Sequence, residues 1–213
     1  MTTLILVRHG QSVTNLTRTF TGQNDVPLTD LGREQAERTA LYLDRFPITA
    51  IWSSDLSRAR ETAAPTAKRH GLTVHTDPRL REMNAGEWQG KTFEQLTAEY
   101  PDTYGLMRSN VGLVKCPGGE TFADVYRRVT ACVDEIVHAN RDGCVAVFCH
   151  GGPMRAMGCF WYGLPVERAS GIPGSPNAAV SVVRYDDEWR PTVLQFCSAA
   201  HLNGEITVLP VDL

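Results

Sequence analysis

Short, largely apolar runs alternate along this chain with longer segments in which apolar residues recur every three or four positions. Such runs are typical of strands buried on both faces, and the longer spacing is typical of amphipathic helices. The pattern predicts strands at 4–7, 49–52, 72–75, 145–148, 179–185 and 192–196. It predicts helices from 30 to near Pro47 and at 56–70, 92–100, 121–140 and 154–162.

The order of these elements decides the fold class. Alternating strands and helices predict an α/β protein, a three-layer α/β/α sandwich with a mostly parallel central sheet. The strand at 72–75 has the features of an edge strand, and the last two strands form a hairpin around Asp186-Asp187-Glu188. Because no repeat, linker or low-complexity tract divides the chain, we expect a single domain over residues 1–213.

Composition and charge narrow the classes of function. Hydrophobic residues make up 42% of the 213 residues and charged residues 21%, which excludes disordered and fibrous proteins. A formal charge of -3 argues against nucleic-acid binding through bulk positive charge, so an anionic substrate needs a local cationic pocket. No apolar run is long enough for a membrane span, and Met1-Thr2-Thr3 lacks the charge of a signal peptide. We therefore expect a cytoplasmic protein without a membrane or nucleic-acid partner.

The six cysteines contain no C-x-x-C pair, which argues against a disulfide framework and against a clustered metal site. They are Cys116, Cys132, Cys144, Cys149, Cys159 and Cys197. No metal and no cofactor is predicted. Cys149 adjoins His150, where either an oxidation-sensitive site or an inert buried thiol fits the pattern.

Polar residues follow three of the predicted strands at the point where each strand ends. The first strand runs into Arg8-His9-Gly10, and the strand at 145–148 runs into Cys149-His150-Gly151. A third strand ends at Ser53-Ser54, with Arg58 one turn into the next helix. The carboxyl ends of parallel strands meet at one edge of a sheet, so we expect these side chains to lie together. Cations beside a nucleophilic imidazole indicate chemistry on an anion, with phosphate as the obvious candidate.

An ordered series of motifs extends over nearly the whole chain. It includes Leu6-Val7-Arg8-His9-Gly10-Gln11-Ser12, Phe20-Thr21-Gly22, Ser53-Ser54-Asp55-Leu56-Ser57-Arg58-Ala59 and Leu80-Arg81-Glu82-Met83, with further segments at 28–36, 117–121 and 150–152. In these motifs the chain resembles the histidine phosphatase superfamily, in its phosphoglycerate-mutase-like branch. An R-H-G triplet alone is common, whereas the ordered series is highly specific.

The resemblance implies the phosphoglycerate-mutase-like fold and a phosphomonoester hydrolase that works through a phosphohistidine. His9 is then the nucleophile, because a neutral imidazole nitrogen can attack phosphorus and divide one displacement into two easier ones. Arg8 and Arg58 hold the phosphoryl oxygens through paired, charge-assisted hydrogen bonds. His150 is a further donor to the transferring group, and the amide of Gly151 near a helix start adds partial positive charge.

Glu82 is the candidate general acid and base. It protonates the leaving oxygen and then accepts a proton from the water that hydrolyses the phosphohistidine. Without the resemblance, Arg81-Glu82 is interpreted as a surface ion pair. The resemblance also implies phosphate or substrate contacts for Asn15, Thr21 and Gly22, although such residues are common in turns.

Departures from the mutase pattern favour a phosphatase. Bisphosphoglycerate-dependent mutases carry Tyr and Lys at the positions of Ala85 and Phe93, an arginine pair where this chain has only Arg108, and Asn at the position of Gly152. A mutase must retain a second anionic group, and these positions lack the cations for it. The alternatives are a bisphosphoglycerate-dependent phosphoglycerate mutase, a phosphoprotein phosphatase and, last, a non-catalytic phosphate-binding module.

Residues 84–118 are expected to cover the pocket and to determine substrate specificity. This segment is rich in apolar side chains and has few charges, among them Lys115 and Arg108, the candidate substrate-binding cation. We expect a moderately apolar or bulky phosphate ester of a small metabolite, bound with little help from further cations. The resemblance leaves a homodimer open as the assembly.

Overall fold

Residues 1–204, the part of the chain that the computed structural model describes, form one six-stranded sheet with helices on both faces. The strands are β1 (Thr2–Arg8), β2 (Ala50–Ser53), β3 (Val74–Thr76), β4 (Cys144–Cys149), β5 (Val180–Tyr185) and β6 (Pro191–Ser198). Their spatial order is β3-β2-β4-β1-β5-β6. The first four pair in parallel, whereas β5 is antiparallel to both β1 and β6. The mostly parallel sheet and the late hairpin are confirmed, with β3 at an edge.

Seven α-helices surround the sheet within the described residues. They are α1 (Val13–Thr17), α2 (Asp30–Leu43), α3 (Ser57–His70), α4 (Phe93–Glu99), α5 (Pro101–Ser109), α6 (Phe122–Ala139) and α7 (Gly151–Trp161). Thr29, Thr92 and Thr121 cap α2, α4 and α6, each accepting a hydrogen bond from the backbone amide three residues later. Such caps satisfy amides that have no partner inside the helix, so the chain marks these helix starts locally.

The burial of β1 on both faces produces the three layers. Leu4 and Leu6 pack in one hydrophobic cluster with residues of α6 and α7, and Ile5 and Val7 pack in a second cluster with residues of α2 and α3. All four side chains are fully buried. Since successive side chains of a strand point to opposite faces, the run at 4–7 holds a helix layer on each side.

The boundaries of several elements differ from the sequence prediction. Helices α1 and α5 were not predicted, and β3 lies two residues later than expected at its start. Helix α7 begins at Gly151 rather than Met154. Gly151-Gly152-Pro153 favours a loop by composition, but amides in the first helical turn need no partner in the helix, so Pro153 is tolerated there. The helix therefore starts directly after β4.

The described residues also test simple expectations about cysteines and membranes. All six thiols are free, and burial raises the pKa of the Cys149 thiol. Because the thiolate is the reactive form, this burial favours the inert thiol at that position. Among residues 1–204, no helix has the length and apolar character that crossing a bilayer requires.

Candidate active site

A cavity lined by Arg8, His9, Arg58 and Glu82, among other residues, lies at the edge of the sheet where the parallel strands end. Two histidines follow adjacent strands at this edge. Arg8 at the end of β1 lies opposite Cys149 at the end of β4, so His9 and His150 come next to each other. Their ring centroids are 5.1 Å apart, and both rings are buried. The parallel pairing thus brings the two His-Gly motifs together.

The ring of His9 has a defined tautomer. Its Nδ1 lies 2.6 Å from the carbonyl oxygen of Gly10. A carbonyl oxygen can only accept a hydrogen bond, so Nδ1 carries the proton and the lone pair lies on Nε2. Burial and the charges of Arg58 and Arg8 lower the pKa of His9 well below 6.5. At neutral pH the imidazole is therefore neutral, with Nε2 available as a nucleophile.

The backbone that follows β1 is fixed from several sides. Asn177 Nδ2 donates to the carbonyl oxygens of His9 and Gly10, at 3.1 Å each. The amide of Gly10 donates to Thr62 Oγ1 at 3.0 Å. A Cβ on Gly10 would lie 2.5 Å from the carbonyl oxygen of Gly32, so only glycine fits there. These contacts hold the imidazole in place. Asn177 was not predicted as a site residue, because no motif surrounds it in the sequence.

Arg58 is buried and aimed by carbonyl groups of the loop before α2. Its Nη1 donates to the Asn24 carbonyl at 2.9 Å and its Nη2 to the Gly22 carbonyl at 2.8 Å. Gly22 has a φ of +51°, and a Cβ there would overlap Gln89. Burial lowers the pKa of Arg58 to about 10, so the guanidinium stays charged at neutral pH. Gly22 lines the cavity and also orients this cation.

Arg8 and His150 present buried polar atoms beside His9. Arg8 Nη1 donates to the carbonyl oxygen of Ser175. Within the described residues, Arg8 Nε and both ring nitrogens of His150 are buried without a hydrogen-bond partner. Buried polar groups are rarely left unpaired, and the oxygens of a phosphoryl group would satisfy these atoms. Burial and Arg58 lower the pKa of His150 well below 6.5, so its neutral ring offers one N–H donor.

The carboxyl group of Glu82 lies beside the first turn of α7, and Arg8 lies near the same turn. Its Oε1 accepts hydrogen bonds from the amides of Gly152 at 3.0 Å and Met83 at 2.8 Å. A Cβ on Gly152 would overlap Oε1, so glycine permits this close approach. A Cβ on Gly151 would lie 3.5 Å from Arg8 Cζ and 3.7 Å from Glu82 Oε2. The carboxyl group and the guanidinium group therefore flank Gly151 in the same cavity.

The segment that carries Glu82 is held from α6. Arg128 donates to the carbonyl oxygens of Arg81 at 2.6 Å and Glu82 at 2.9 Å, and its Nε donates to Glu120 at 2.7 Å. Arg81 pairs with Asp55 at 2.7 Å, so it does not form the surface ion pair with Glu82 that the two residues alone suggested. Arg128 was missed because a charged residue on an amphipathic helix normally faces solvent.

Asn15, Thr21 and Gly151 line the cavity. Asn15 and Thr21 also make hydrogen bonds within the segment that follows β1. Asn15 Oδ1 accepts from the amide of Ser12 at 2.9 Å, and Thr21 Oγ1 donates to Thr14 Oγ1 at 2.6 Å. Both the functional and the loop interpretation of these residues thus have support.

The groove beside the cavity contains Arg108, whose contact with substrate stays a prediction. This residue lies in a neighbouring groove with Arg18 and Tyr104, and it is not among the residues that line the cavity. Successive residues of a helix are turned by about 100°. Met107 of α5 faces the cavity, so Arg108 faces the groove. The sequence did not predict α5 and therefore could not show which face Arg108 occupies.

The predicted specificity segment contributes part of the cavity wall, as Phe93, Met107 and Val111 line it. Two cations from outside this segment also line the cavity, Arg18 after α1 and Arg155 on α7. Arg155 follows Gly151 by four residues and so lies on the same face of α7. The sequence predicted a helix start at Met154, which leaves Gly151 outside the helix, so it did not show that Gly151 and Arg155 share a face.

Residues 4–197 match the profile of the histidine phosphatase superfamily, branch 1. The chain is 33% identical over 208 residues to phosphoserine phosphatase 1 of Hydrogenobacter thermophilus, covering 98% of this chain and 97% of that protein. It is 36% identical over 159 residues to a probable phosphoglycerate mutase of Yersinia pestis, covering 75% and 73%. The structure of mycobacterial glucosyl-3-phosphoglycerate phosphatase with VO3 superposes with a TM-score of 0.85 and 32% identity, covering 92% and 99%. The chain belongs to the histidine phosphatase superfamily.

Proposed function

We propose that this protein hydrolyses phosphate monoesters of small metabolites, with His9 as nucleophile and Glu82 as general acid and base. The observation that carries the proposal is the neutral His9 ring, whose Nδ1–H donates to the Gly10 carbonyl and leaves Nε2 free. Arg8, Arg58 and Glu82 line the same cavity. A nucleophile, two phosphate-binding cations and a proton donor are the groups that this reaction requires.

In the first step, Nε2 of His9 attacks phosphorus and the ester P–O bond breaks. The leaving oxygen takes the proton of Glu82, which becomes a carboxylate. Arg8 and Arg58 stabilise the charge on the phosphoryl oxygens, and His150 donates one further hydrogen bond. The amide of Gly151 adds partial positive charge from the start of α7.

In the second step, the Glu82 carboxylate takes a proton from water as the water oxygen attacks the phosphohistidine. The P–N bond breaks, phosphate leaves and His9 returns to its neutral form. The Glu82 carboxyl group lies beside Gly151 and Gly152 and lines the same cavity as His9, which supports its use in both steps.

The relatives support a small metabolite as substrate. One is named a phosphoserine phosphatase, and a structural neighbour is a glucosyl-3-phosphoglycerate phosphatase. A phosphoprotein phosphatase remains an alternative for this site, and a phosphopeptide in the substrate panel distinguishes it. The cytoplasmic location and the homodimer stay predictions.

A bisphosphoglycerate-dependent mutase is the second candidate, and one observation favours it. Arg18 and Arg155 line the cavity and bring positive charge to it. This chain lacks such charge at the sequence positions where mutases carry it. Against it stand Ala85, Phe93 and Gly152, which differ from the mutase pattern. A mutase would need added bisphosphoglycerate and would interconvert phosphoglycerates without net release of phosphate.

The test is phosphate release from a panel of phosphomonoesters and one phosphopeptide by the wild type and His9→Ala, with chelator and without bisphosphoglycerate. We expect release by the wild type on metabolite esters and a loss of at least about 10³-fold in His9→Ala. A wild type that releases phosphate only from the phosphopeptide, or only isomerises phosphoglycerate, would overturn the proposal.

A further inference from the structure

One arginine of α6 holds the two peptide groups on either side of the Glu82 Cα. Arg128 Nη1 donates to the carbonyl oxygen of Arg81 at 2.6 Å, and its Nη2 donates to that of Glu82 at 2.9 Å. A residue has only two soft backbone dihedral angles, and the planar peptide groups on its two sides define them. Because both groups are held, the direction of the Cα–Cβ bond of Glu82 is held as well.

The peptide group that follows Glu82 also holds the carboxyl group. Its amide, that of Met83, donates to Glu82 Oε1 at 2.8 Å, and its carbonyl oxygen is the one that accepts from Arg128. Gln23 Nε2 donates to the same carbonyl oxygen at 3.0 Å, so both of its lone pairs are used. Rotation of this peptide group would therefore move the donor that fixes Oε1.

Arg128 is itself oriented by Glu120. Its Nε donates to Glu120 Oε1 at 2.7 Å and its Nη2 donates to Oε2 at 2.9 Å, the paired geometry of a guanidinium on a carboxylate. The carbonyl oxygen of Arg79 accepts from Nη1 at 2.8 Å, so all five N–H groups of Arg128 have an acceptor. The two paired side chains are only 17% and 22% exposed. The plane of the guanidinium is thus fixed relative to residues 79–82.

Arg79, which belongs to the same segment, offers a contrast. Its Nη2 donates to the carboxylates of Asp77 at 2.8 Å and Glu135 at 2.7 Å. The side chain of Arg79 is 39% exposed and that of Glu135 is 63% exposed, so solvent weakens their pairing. Arg128 is more buried, and it directs three of its five donors to backbone carbonyl groups. It is therefore placed to control the backbone, whereas Arg79 forms surface ion pairs.

The chemistry requires the Glu82 carboxyl group at a fixed place. A general acid must come within hydrogen-bond distance of the leaving oxygen, and a displacement of about 1 Å lowers a rate by as much as about 10²-fold. Arg128 and Glu120 are not among the residues that line the cavity. Their effect is therefore on the acid rather than on the binding of the ester.

We propose that Arg128, oriented by Glu120, is a positioning residue for the general acid and directs the Glu82 carboxyl group toward the leaving oxygen by holding the peptide groups on both sides of Glu82. The inference rests on the proposed function, in which Glu82 protonates that oxygen.

The experiment compares two esters that differ in their need for a proton. One is 4-nitrophenyl phosphate, whose phenolate leaves without protonation, and the other is the alkyl phosphate that the wild type hydrolyses best. The constant measured is kcat/KM, because it reports the steps up to release of the leaving group. The variants are Arg128→Met, Arg128→Lys, Glu82→Gln as the reference for loss of the acid, and Arg79→Met as the matched control. Thermal melting checks the folding of each.

We expect Glu82→Gln to lower kcat/KM by about 10²-fold or more for the alkyl ester and by much less for the aryl ester. Arg128→Met should show the same pattern, with a loss of about 10- to 100-fold for the alkyl ester and less than about threefold for the aryl ester. Arg128→Lys keeps the charge but lacks the planar fork that reaches both peptide groups, so it should retain most of the selective loss. Arg79→Met should keep the wild-type values for both esters.

Three results would overturn the inference while the phosphatase function stands. They are equal losses on both esters in folded Arg128→Met, full activity of that variant, and wild-type activity of Arg128→Lys, which would show that charge alone suffices. If Arg128→Met does not fold, Arg128→Lys decides by the same ratio. Equal losses on both esters in Glu82→Gln, or a wild type that hydrolyses no ester, would instead overturn the proposed function.

Discussion

The ends of β1 and β4 carry the same short motif, a histidine followed by glycine after a buried strand, yet their surroundings differ. At the end of β1, the His9 ring donates to the Gly10 carbonyl, and Asn177 holds the backbone. At the end of β4, the ring nitrogens of His150 have no partner within the described residues. The chain then turns at once into α7, whose Gly152 amide holds Glu82.

The difference indicates how one motif can serve two tasks. A ring with a fixed tautomer and a fixed backbone suits a nucleophile, because Nε2 must point at phosphorus with its lone pair free. A ring without a protein partner suits a donor that pairs only with the transferring group. The partners of each histidine, rather than the motif itself, distinguish the two roles.

The sharpest test of this comparison is His150→Ala. We expect kcat to fall by about 10²- to 10³-fold, since one donor to the developing charge is lost while the nucleophile remains. Rapid-quench assays of phosphate release measure the loss. A fall as large as that of His9→Ala, with no phosphoenzyme formed, would remove the distinction between the two histidines.

Gly152→Ala tests the second function of the β4 end, the placement of Glu82. A Cβ at this position overlaps Glu82 Oε1, so the carboxyl group must move, and we expect kcat to fall by about 10- to 100-fold. Gly151→Ala is the matched variant, because its Cβ meets Arg8 and Glu82 at ordinary contact distances of 3.5 and 3.7 Å. Steady-state kinetics of both variants should show the larger loss in Gly152→Ala. The reverse order would contradict the placement.

Asn177→Ala tests the rigid backbone at the β1 end. The variant loses two hydrogen bonds to buried carbonyl groups, and we expect the free energy of unfolding to fall by about 1–3 kcal/mol. The kcat value should fall by about tenfold, because His9 is held less firmly. Urea unfolding and kinetics on the same preparation measure both. Lower stability with unchanged kcat would show that Asn177 does not position His9.

The smallest expected effect is a dependence of stability on pH. Burial lowers the pKa of His9 and His150 well below 6.5 in the folded protein, and it lowers that of His201 to about 4. The unfolded chain has ordinary histidines with pKa values near 6.5, so it binds more protons as the pH falls below that value. The free energy of unfolding should therefore decrease between pH 7.5 and 5.5.

Urea unfolding at the two pH values checks this expectation. His150→Gln should reduce the difference between them, because one of the buried neutral rings is removed. A wild type that is equally stable at both pH values would contradict the neutral state of the buried rings on which the nucleophile depends.

The sequence predicts much of the molecule because its signals are local. Apolar strands followed by Arg8-His9-Gly10 and His150-Gly151 predict that these residues lie together at one edge of the sheet, as the pairing of β1 with β4 shows. Comparison with relatives confirms the family, the fold class and the assignment to phosphomonoester hydrolases. The single domain over residues 1–213 and the role of each site residue stay predictions, and residues 205–213 of that domain lie outside the described part of the chain.

The site residues that the sequence did not predict were missed for two reasons. Some make contacts with residues far away in the chain, and others lie on helices whose boundaries differ from the predicted ones. Asn177 and Arg128 contact His9 and Glu82, which lie 168 and 46 positions away in the chain. No short pattern records such a pairing. Arg155 escaped because α7 begins at Gly151, and Arg108 was assigned to the cavity because α5 was not foreseen. In both cases the face of a helix, rather than the residue type, decided the outcome.

The most direct test of the account is the identity of the phosphorylated atom. The wild type is mixed with its best substrate, quenched within one turnover under alkaline conditions that preserve phosphohistidine, digested and sequenced by mass spectrometry. The account predicts one acid-labile phosphoryl group on the peptide that contains His9, absent in His9→Ala and still formed in His150→Ala. Phosphate on His150, or turnover without any phosphoenzyme, would contradict it.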